Sequence, residues 1–199
     1  MQFDRAIFFD LYRKQYGSLN QAQVDGLEAL LAGLEQDVDV TDVRWAAYML
    51  ATVKHECADT WEPAVEKGPL SYFDQYNAGT DKGKRLGNVA PGDGYRFRGR
   101  GYVQITGRAN YLKLSQALGV GSALVDDVEQ ALDPQIAYQI MSYGMRNGAF
   151  TGKKLSDYIS GAACDYFNAR RIINALDQAD RIRGYANNLA AALTQSAKT

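Results

Sequence analysis

The chain has 199 residues, of which 46% are hydrophobic and 23% are charged, a composition typical of a soluble globular protein. Its formal net charge is −1, so overall charge gives no reason to expect nucleic acid or an anionic membrane as a partner. The first residues lack a basic segment followed by an apolar stretch of signal-peptide length, and no window reaches the ~18–20 apolar residues of a transmembrane helix. These features predict synthesis in the cytoplasm without a signal peptide and no stable membrane insertion.

Three amphipathic helices are predicted in the first part of the chain. The first is FDRAIFFDLYRKQYG, which ends at Gly17, and the second is QAQVDGLEALLAGLEQD, which follows Asn20. The third is VRWAAYMLATVKHE, and it follows Thr41 and Asp42, two residues that suit a helix N-cap. Its apolar residues recur at the i, i+3, i+4, i+7 spacing, so we expect one face of this helix to be buried.

A long segment rich in glycine and proline follows, from Pro63 to Gly101. A segment of this length with no regular pattern is usually functional or disordered, and its aromatic residues favour order. Beyond it, YVQIT alternates like a short strand. Helices are predicted at NYLKLSQALGV, in DVEQALDPQIAYQIMSYGMRNG, where Asp133 and Pro134 are a start signal, and two or three more in residues 156–195. We therefore predict a mainly α protein with at most a very small β element.

The only histidine, His55, raises the possibility of a metal site, since HEC begins like the zinc motif H-E-x-x-H. Asp59 stands where the second histidine of that motif is needed. Nucleophile-elbow and phosphate-loop motifs are missing as well, so we predict neither a metal nor a cofactor. The pairing of Cys57 with Cys164 stays open.

A run of arginines in RFRGRGYVQITGR, interleaved with aromatic residues, is a second possibility, because such runs can bind single-stranded nucleic acid. It is one short basic run in a chain of almost zero net charge. We therefore predict no nucleic-acid partner.

Paired carboxylates are the remaining chemical possibility, and KHECADTWEPAVEKG contains four acidic residues. Glycoside hydrolysis needs one protonated carboxyl group and a second carboxylate that activates water or attacks the sugar. Glu56 is predicted to end an apolar helix, where burial and the negative end of the helix dipole favour the protonated form. The residues alone leave open whether this stretch is a catalytic pair or a solvated acidic helix end.

Several motifs, in this order, resemble glycoside hydrolase family 19, the chitinases and related cell-wall lysins of phages and bacteria. They are HE at the end of a helix, WEPAVEKG, GYRFRGRGYVQITGRANY, RRIIN and ADRI. The resemblance extends from about Asp42 to Leu193, and GRGYVQITGRANY is its most specific part. GNVAPGDGYRFRGRG and GMRNGAFTGKKLSDY are similar to the compact bacterial and phage branch. Ala109 departs from members that have tyrosine before the cleft asparagine.

The resemblance implies a role for each matching residue. Glu56 matches the general acid, Glu66 the base that activates water in an inverting displacement, and Thr106 a hydroxyl that helps to hold this water. The carboxyl groups of an inverting pair should lie ~6.5–9.5 Å apart. Asp59 and Glu62 are expected to face solvent or brace the turn at Pro63. Further matches imply residues that shape the site or contact sugar: His55, Gln104, Asn110, Asn174 and Arg181, the last matching an arginine that interacts with the catalytic carboxylates.

Aromatic side chains are further candidates for the substrate site, because their faces can stack on sugar rings. Each is at least as well explained as part of the core. Tyr72 and Tyr102 are the two assigned to substrate binding. The full set of candidates is Tyr72, Tyr76, Phe97, Tyr102 and Trp61.

The implied protein is a lysozyme-like, mainly α enzyme with a single catalytic domain over residues 1–199. Residues 41–195 would form the hydrolase core, and helices within residues 1–40 would pack on it. The expected function is that of a monomeric endolysin, which hydrolyses β-1,4 bonds of peptidoglycan glycan strands in the periplasm or cell wall after holin-type release. The alternatives are a chitinase, a non-catalytic wall-binding protein of the same fold, or a toxin delivered by a secretion machine.

Overall fold

The computed structural model describes residues 1–198. Within it the chain forms two compact units. Unit 1 consists of Met1–Trp61 together with the chain from Met141 to the end of the described residues, and unit 2 is Glu62–Ile140. The organisation as a single catalytic domain stays a prediction.

The described residues are mainly helical, and each predicted helical region contains at least one helix. The α-helices are α1 Arg5–Tyr16, α2 Gln21–Gln36, α3 Val43–Glu56, α4 Asp81–Arg85, α5 Asp93–Arg96, α6 Arg108–Ala117, α7 Ala123–Asp126, α8 Pro134–Asn147 and α9 Ala179–Ser196.

Side-chain caps explain where the main helices begin. The Asp42 side chain accepts a hydrogen bond from the Arg44 amide at the start of α3, and Asn20 forms a capping box with Gln23 at the start of α2. At the start of α8 the Asp133 carboxylate accepts from two backbone amides, as the Asp133-Pro134 signal predicts. Polar residues in the sequence therefore set these helix boundaries.

Unit 1 is built around α3. The residues of this helix from Ala46 to Lys54 are all buried, and α3 packs against α9, which also contacts α1. Because α3 is enclosed along most of its length, its last residue, Glu56, is held at a fixed end of a rigid element.

The C-terminal part of unit 1 differs from the prediction of two or three helices. One long helix, α9, forms there, and it is preceded by a small antiparallel hairpin of β1 Ile159–Ser160 with β2 Ala163–Cys164 and by two 3₁₀ helices, Leu155–Asp157 and Asn168–Ile172. Gly161 turns the hairpin with a φ of 53°. Arg44 of α3 donates to the backbone oxygens of Gly161 and Ala163, which fixes the hairpin on unit 1.

Unit 2 contains the long segment that the sequence leaves irregular, and short elements order most of it. A 3₁₀ helix covers Leu70–Tyr76, α4 and α5 follow, and a second 3₁₀ helix covers Val128–Leu132. Strand β3, Ala64–Val65, pairs antiparallel with β4, Arg100–Gly101. The irregular segment is thus closed at its two ends by one small sheet.

The prediction of a strand at YVQIT is wrong. Strand β4 ends at Gly101, and the chain then turns through Gln104, whose φ is 53°, so that Ile105 pairs back with Arg100. The alternation in YVQIT comes from a tight turn in which Tyr102, Val103 and Ile105 are buried. The two very small sheets confirm the predicted fold class, mainly α with little β structure.

Two further sequence questions are answered by the described residues. None of the helices among them is long and apolar enough to cross a bilayer. Cys57 and Cys164 are not joined in a disulfide, since Cys57 is buried at the end of α3 and Cys164 is exposed in the hairpin.

Candidate active site

The proposed acid, Glu56, is the last residue of α3, and its side chain is 19% exposed. An Arg170 Nη1 donates to Glu56 Oε1 over 2.6 Å. Arg170 lies on the 3₁₀ helix Asn168–Ile172, its side chain is 2% exposed, and its Nε donates to the Asp177 backbone oxygen at 3.0 Å. A buried guanidinium anchored at both ends therefore fixes one oxygen of the Glu56 carboxylate.

The arginine that contacts Glu56 is Arg170 and not Arg181. Arg181 is exposed on α9, so the interaction with Glu56 that the ADRI match implies is made instead by an arginine of RRIIN. Asn174 of the same motif is exposed, and its Oδ1 accepts from the next backbone amide, that of Ala175. His55 is half-buried on the last turn of α3. The sugar contacts of Asn174 and His55 stay predictions.

The two acidic residues between Glu56 and Glu66 differ from one another. Glu62 is exposed, as expected. Asp59 has a side chain that is 49% exposed, so it faces solvent in part, as expected. It also forms an ion pair with Lys54, whose side chain is only 4% exposed. This partner is not predicted by the sequence.

The proposed base, Glu66, follows β3 in unit 2 and is held by backbone groups. Its amide donates to the Gly99 oxygen at 2.8 Å, and the Gly99 amide donates to Glu66 Oε2 at 3.0 Å. A Cβ on residue 99 would lie 2.8 Å from Gln104 Oε1 and 3.3 Å from Glu66 Oε2. Glycine at this position lets the backbone approach the carboxylate closely.

The GRGYVQITGRANY block forms the surroundings of Glu66. The Gln104 Nε2 donates to the Ala64 and Gly101 backbone oxygens at 2.8 and 3.1 Å, and so joins the turn to both strands of the sheet. Thr106 Oγ1 donates to the Gln104 backbone oxygen at 3.1 Å, and the exposed Asn110 donates to the Thr106 backbone oxygen at 2.7 Å. The predicted residues Glu66, Gln104, Thr106 and Asn110 are thus linked through neighbouring hydrogen bonds.

Two tyrosines of the 3₁₀ helix Leu70–Tyr76 lie in the same unit as Glu66. Tyr72 is 44% exposed, and its hydroxyl lies 3.5 Å from that of Tyr76. The pKa of Tyr76 is raised, first by its hydrogen bond to Tyr72, then by burial and by the negative charge of Glu66. Tyr72 therefore remains a candidate for sugar stacking. Tyr76 lies close enough to the proposed base, Glu66, for the charge of that carboxylate to raise its pKa.

Three of the aromatic candidates are corrected by burial. Tyr102 is 1% exposed, and Phe97 and Trp61 are 0% exposed. Their ring faces are covered by protein, so they cannot stack on a sugar. They belong to the core, which is the alternative that the sequence left open.

The arginines of RFRGRGYVQITGR are used inside unit 2. Arg100 is 1% exposed and binds Glu129 at 2.7 Å, while Arg108 binds the buried Asp93 at 2.7 Å. Arg96 donates to two backbone oxygens, and the Arg98 guanidinium lies 4.0 Å from the centre of the Tyr95 ring. These contacts give each arginine a partner within the fold. Within residues 1–198, no group of three or more metal-ligating side chains occurs.

Sequence reasoning missed Arg170 and Gly99. Arg170 stands in RRIIN, next to apolar residues that become a buried 3₁₀ helix, and that setting is the signal that one arginine there turns inward. Gly99 is one of many glycines in its segment. Nothing in the sequence distinguishes it from its neighbours, because its importance comes from two side chains that approach it from elsewhere.

No protein-family model and no curated protein matches this sequence. Among solved structures, the chain is similar to chitinase C from Streptomyces griseus HUT6037, with 19% identity, a TM-score of 0.60, and coverage of 96% of this chain and 92% of that one. It is also similar to a bacterial family 19 chitinase, with 19% identity, a TM-score of 0.64, and coverage of 96% and 94%. The chain therefore has the fold of the family 19 chitinases, as the sequence motifs predict.

Proposed function

We propose that the protein is an inverting glycoside hydrolase that cleaves β-1,4 bonds in the glycan strands of bacterial peptidoglycan. Glu56 is the general acid and Glu66 is the general base. The observation that carries this proposal is a pair of glutamates held in different polar surroundings, Glu56 by Arg170 and Glu66 by Gly99, within a family 19 chitinase fold. Two carboxylates with different surroundings are suited to different roles in one reaction.

The acid must give a proton to the oxygen of the leaving sugar. Because Arg170 binds Oε1 of Glu56, we assign the proton to Oε2. The rigid end of α3 and the doubly anchored guanidinium keep this oxygen in one position, which lowers the entropic cost of proton transfer. Arg170 also supplies positive charge where the acid becomes a carboxylate as the bond breaks.

The base must take a proton from the attacking water. Glu66 Oε2 accepts a hydrogen bond from the Gly99 amide, and this bond fixes the orientation of the carboxylate. The Thr106 hydroxyl uses its own hydrogen on the Gln104 oxygen, so its lone pairs are available to accept a hydrogen bond from water. We therefore assign the water to a position that Thr106 and Glu66 share, while Gln104, Asn110 and Tyr72 contact the sugar.

Peptidoglycan is the substrate that we propose first, because the sequence motifs resemble the bacterial and phage branch of the family. Chitin is the second candidate, favoured by the two similar structures, both of which are chitinases. Both substrates are β-1,4-linked and contain N-acetylglucosamine, so one arrangement of acid, base and water serves either. We also propose that the protein acts as a monomer.

The decisive experiment compares the wild type with Glu56→Gln on purified peptidoglycan and on glycol chitin. We expect the wild type to release reducing ends from peptidoglycan, and the variant to lose activity by about 10²–10⁴-fold. Glu62→Gln is the matched control, since Glu62 is an exposed glutamate six positions along the chain, and it should leave turnover unchanged. Turnover of glycol chitin alone would favour the chitinase.

Equal binding of wall glycan by both proteins without any turnover would contradict the proposal and favour a non-catalytic wall-binding protein. Nuclear magnetic resonance of the first products tests inversion, because a β-linked substrate must then give the α-anomer. Mass spectrometry of the reducing ends identifies which of the two peptidoglycan bonds is cut.

The endolysin role is tested in cells. We propose that the protein reaches the wall through a holin-type pore, so expression together with a holin should lyse Gram-negative cells, and Glu56→Gln should not. Lysis without a holin would contradict this route.

A further inference from the structure

A buried lysine lies two residues before Glu56 and takes no part in the proposed chemistry. Lys54 is 5% exposed on α3. Its ammonium donates to the Tyr12 hydroxyl at 3.0 Å and forms an ion pair with Asp59. An ammonium group is costly to bury without such partners, so Lys54 depends on Tyr12 and Asp59 to stay buried and charged.

Four aromatic rings surround the Lys54 ammonium at cation–π distances. They come from three places: α1, α9 and the loop that follows Glu56. We call this set, together with Asp59, the lysine cage. The distances from Nζ to the ring centres are 4.0 Å for Tyr16, 5.1 Å for Tyr185, 5.4 Å for Tyr12 and 5.6 Å for Trp61.

The loop residues 57–61 have a strained backbone. Three non-glycine residues have positive φ values, 47° at Ala58, 64° at Asp59 and 64° at Trp61. Side chains rarely adopt such a conformation, and it persists only where the surroundings hold it. Two of these three residues, Asp59 and Trp61, are members of the lysine cage.

Helix α2 holds the same loop from another direction. Gln23 Nε2 donates to the Asp59 backbone oxygen at 2.9 Å. A Cβ on Gly26 would lie 2.5 Å from the Trp61 backbone oxygen, so only glycine allows α2 to approach this closely. The first two helices therefore contact the loop through Tyr12 of α1, whose ring packs against that of Trp61, and through Gln23 and Gly26 of α2.

The loop is tied in turn to the helix end that bears Glu56. The Ala58 and Asp59 amides donate to the backbone oxygens of His55 and Lys54, at 3.2 and 3.1 Å. The last turn of α3 and the strained loop thus form one hydrogen-bonded unit. A movement of the loop must move the carbonyl groups of the two residues that precede Glu56.

We propose that Lys54, with helices α1 and α2, positions the Glu56 carboxylate by holding this strained loop in place. The inference rests on the proposed function, since it assigns Glu56 as the acid. It gives residues 1–40 a role in the reaction although they lie outside the family motifs. Lys54 is a positioning residue, because it acts through the loop and does not touch substrate.

The test uses Lys54→Met, which keeps the length of the side chain and removes the charge. Trp45 and Trp61 are the only tryptophans, so a Trp45→Phe background makes fluorescence report on Trp61 alone. In this background we expect Lys54→Met to increase acrylamide quenching of Trp61 at least about twofold and to lower kcat by about 10–100-fold. KM should change little, because Gln104, Asn110 and Tyr72, which we assign to the sugar, are not members of the lysine cage.

Lys14→Met is the matched control, since Lys14 is an exposed lysine of α1, and it should change neither quenching nor kcat. If Lys54→Met does not fold, Asp59→Asn and Gly26→Ala probe the same loop by removing the ion pair or by pressing on the Trp61 oxygen. Either should raise quenching and lower kcat in parallel.

An active protein in which kcat is unchanged by these cage variants would overturn the inference and leave the proposed function standing. Unchanged quenching would overturn it as well. A wild type that turns over neither glycan would contradict the proposed function itself, and with it the role of Lys54, whereas the quenching data would still report whether the lysine holds the loop.

Discussion

The two proposed catalytic glutamates are held by different kinds of contact. Glu56 ends a long buried helix, and a buried arginine side chain binds its carboxylate. Glu66 follows a strand of two residues, and a backbone amide from a glycine-rich turn binds its carboxylate. The first contact depends on charge, and the second depends on the path of the chain. The two glutamates should therefore respond differently to substitution of the same kind.

The largest effect is expected when both glutamates are changed to glutamine and compared. Each variant should lose about 10²–10⁴-fold in rate. Glu56→Gln should also lower the free energy of unfolding by about 1–3 kcal/mol, because it leaves the Arg170 guanidinium buried without a carboxylate. Glu66→Gln should cost less than about 1 kcal/mol, since an amide oxygen can still accept from Gly99. Urea unfolding of both variants measures the difference in free energy of unfolding. Equal losses of stability would contradict the idea that the two glutamates are held by different kinds of contact.

Arg170→Lys tests the side-chain contact that holds Glu56. An ammonium group cannot reach both Glu56 Oε1 and the Asp177 oxygen as the guanidinium does. We expect kcat to fall about 10-fold or more with a smaller change in KM. Arg181→Lys is the control on the exposed arginine. A larger loss in Arg181→Lys than in Arg170→Lys would restore the assignment that the ADRI motif implies.

Gly99→Ala tests the backbone contact that holds Glu66. The added methyl group would press on Gln104 Oε1 and Glu66 Oε2, so the carboxylate must shift by a few tenths of an ångström. We expect kcat to fall by up to about 10-fold while the protein stays folded. Gly184→Ala, where an added Cβ meets nothing within 4 Å, should leave activity unchanged. Full activity of Gly99→Ala would show that the turn can shift without disturbing Glu66, and that the backbone at Gly99 does not fix this carboxylate.

The smallest effect concerns the pH dependence of stability in unit 2. Asp93 is buried, and its ion pair with Arg108, helped by the amides of Val89 and Ala90, lowers its pKa to about 2. A lowered pKa means that the stabilisation is complete above the unfolded value, 3.8, and is lost as the pH falls towards 2.

Asp93→Asn should lack this part of the acid sensitivity and be less stable at neutral pH. Unfolding in urea at several pH values between about 5 and 2 measures the two slopes. Identical slopes for variant and wild type would show that Asp93 does not contribute.

The sequence predicts the helices well because their signals are local. Caps at Asp42 and Asn20 and the apolar spacing of α3 need no distant contact to act. It predicts the tail and YVQIT poorly, since a positive φ at Gln104 and the hairpin at Gly161 depend on tertiary partners. Alternation of apolar residues cannot distinguish a strand from a buried turn.

For the candidate site, the motifs select Glu56 and Glu66 but not the residues that hold them. Arg170 and Gly99 act through neighbours far away in sequence, 114 positions from Glu56 and 33 from Glu66. The partner of Asp59 is missed for the opposite reason, because Lys54 is close in sequence but buried by rings from distant helices. Charge spacing alone cannot reveal a partner that only the packing brings near.

The two cysteines also have a practical consequence for experiments on this protein. Cys164 is exposed in the β1–β2 hairpin, whereas Cys57 is buried at the end of α3, next to Glu56 in the chain. A maleimide reagent should therefore modify the native protein at Cys164 alone and leave the contacts of the proposed acid intact. The same thiol can join two molecules by oxidation, so an apparent dimer on a non-reducing gel should disappear when a reducing agent is added.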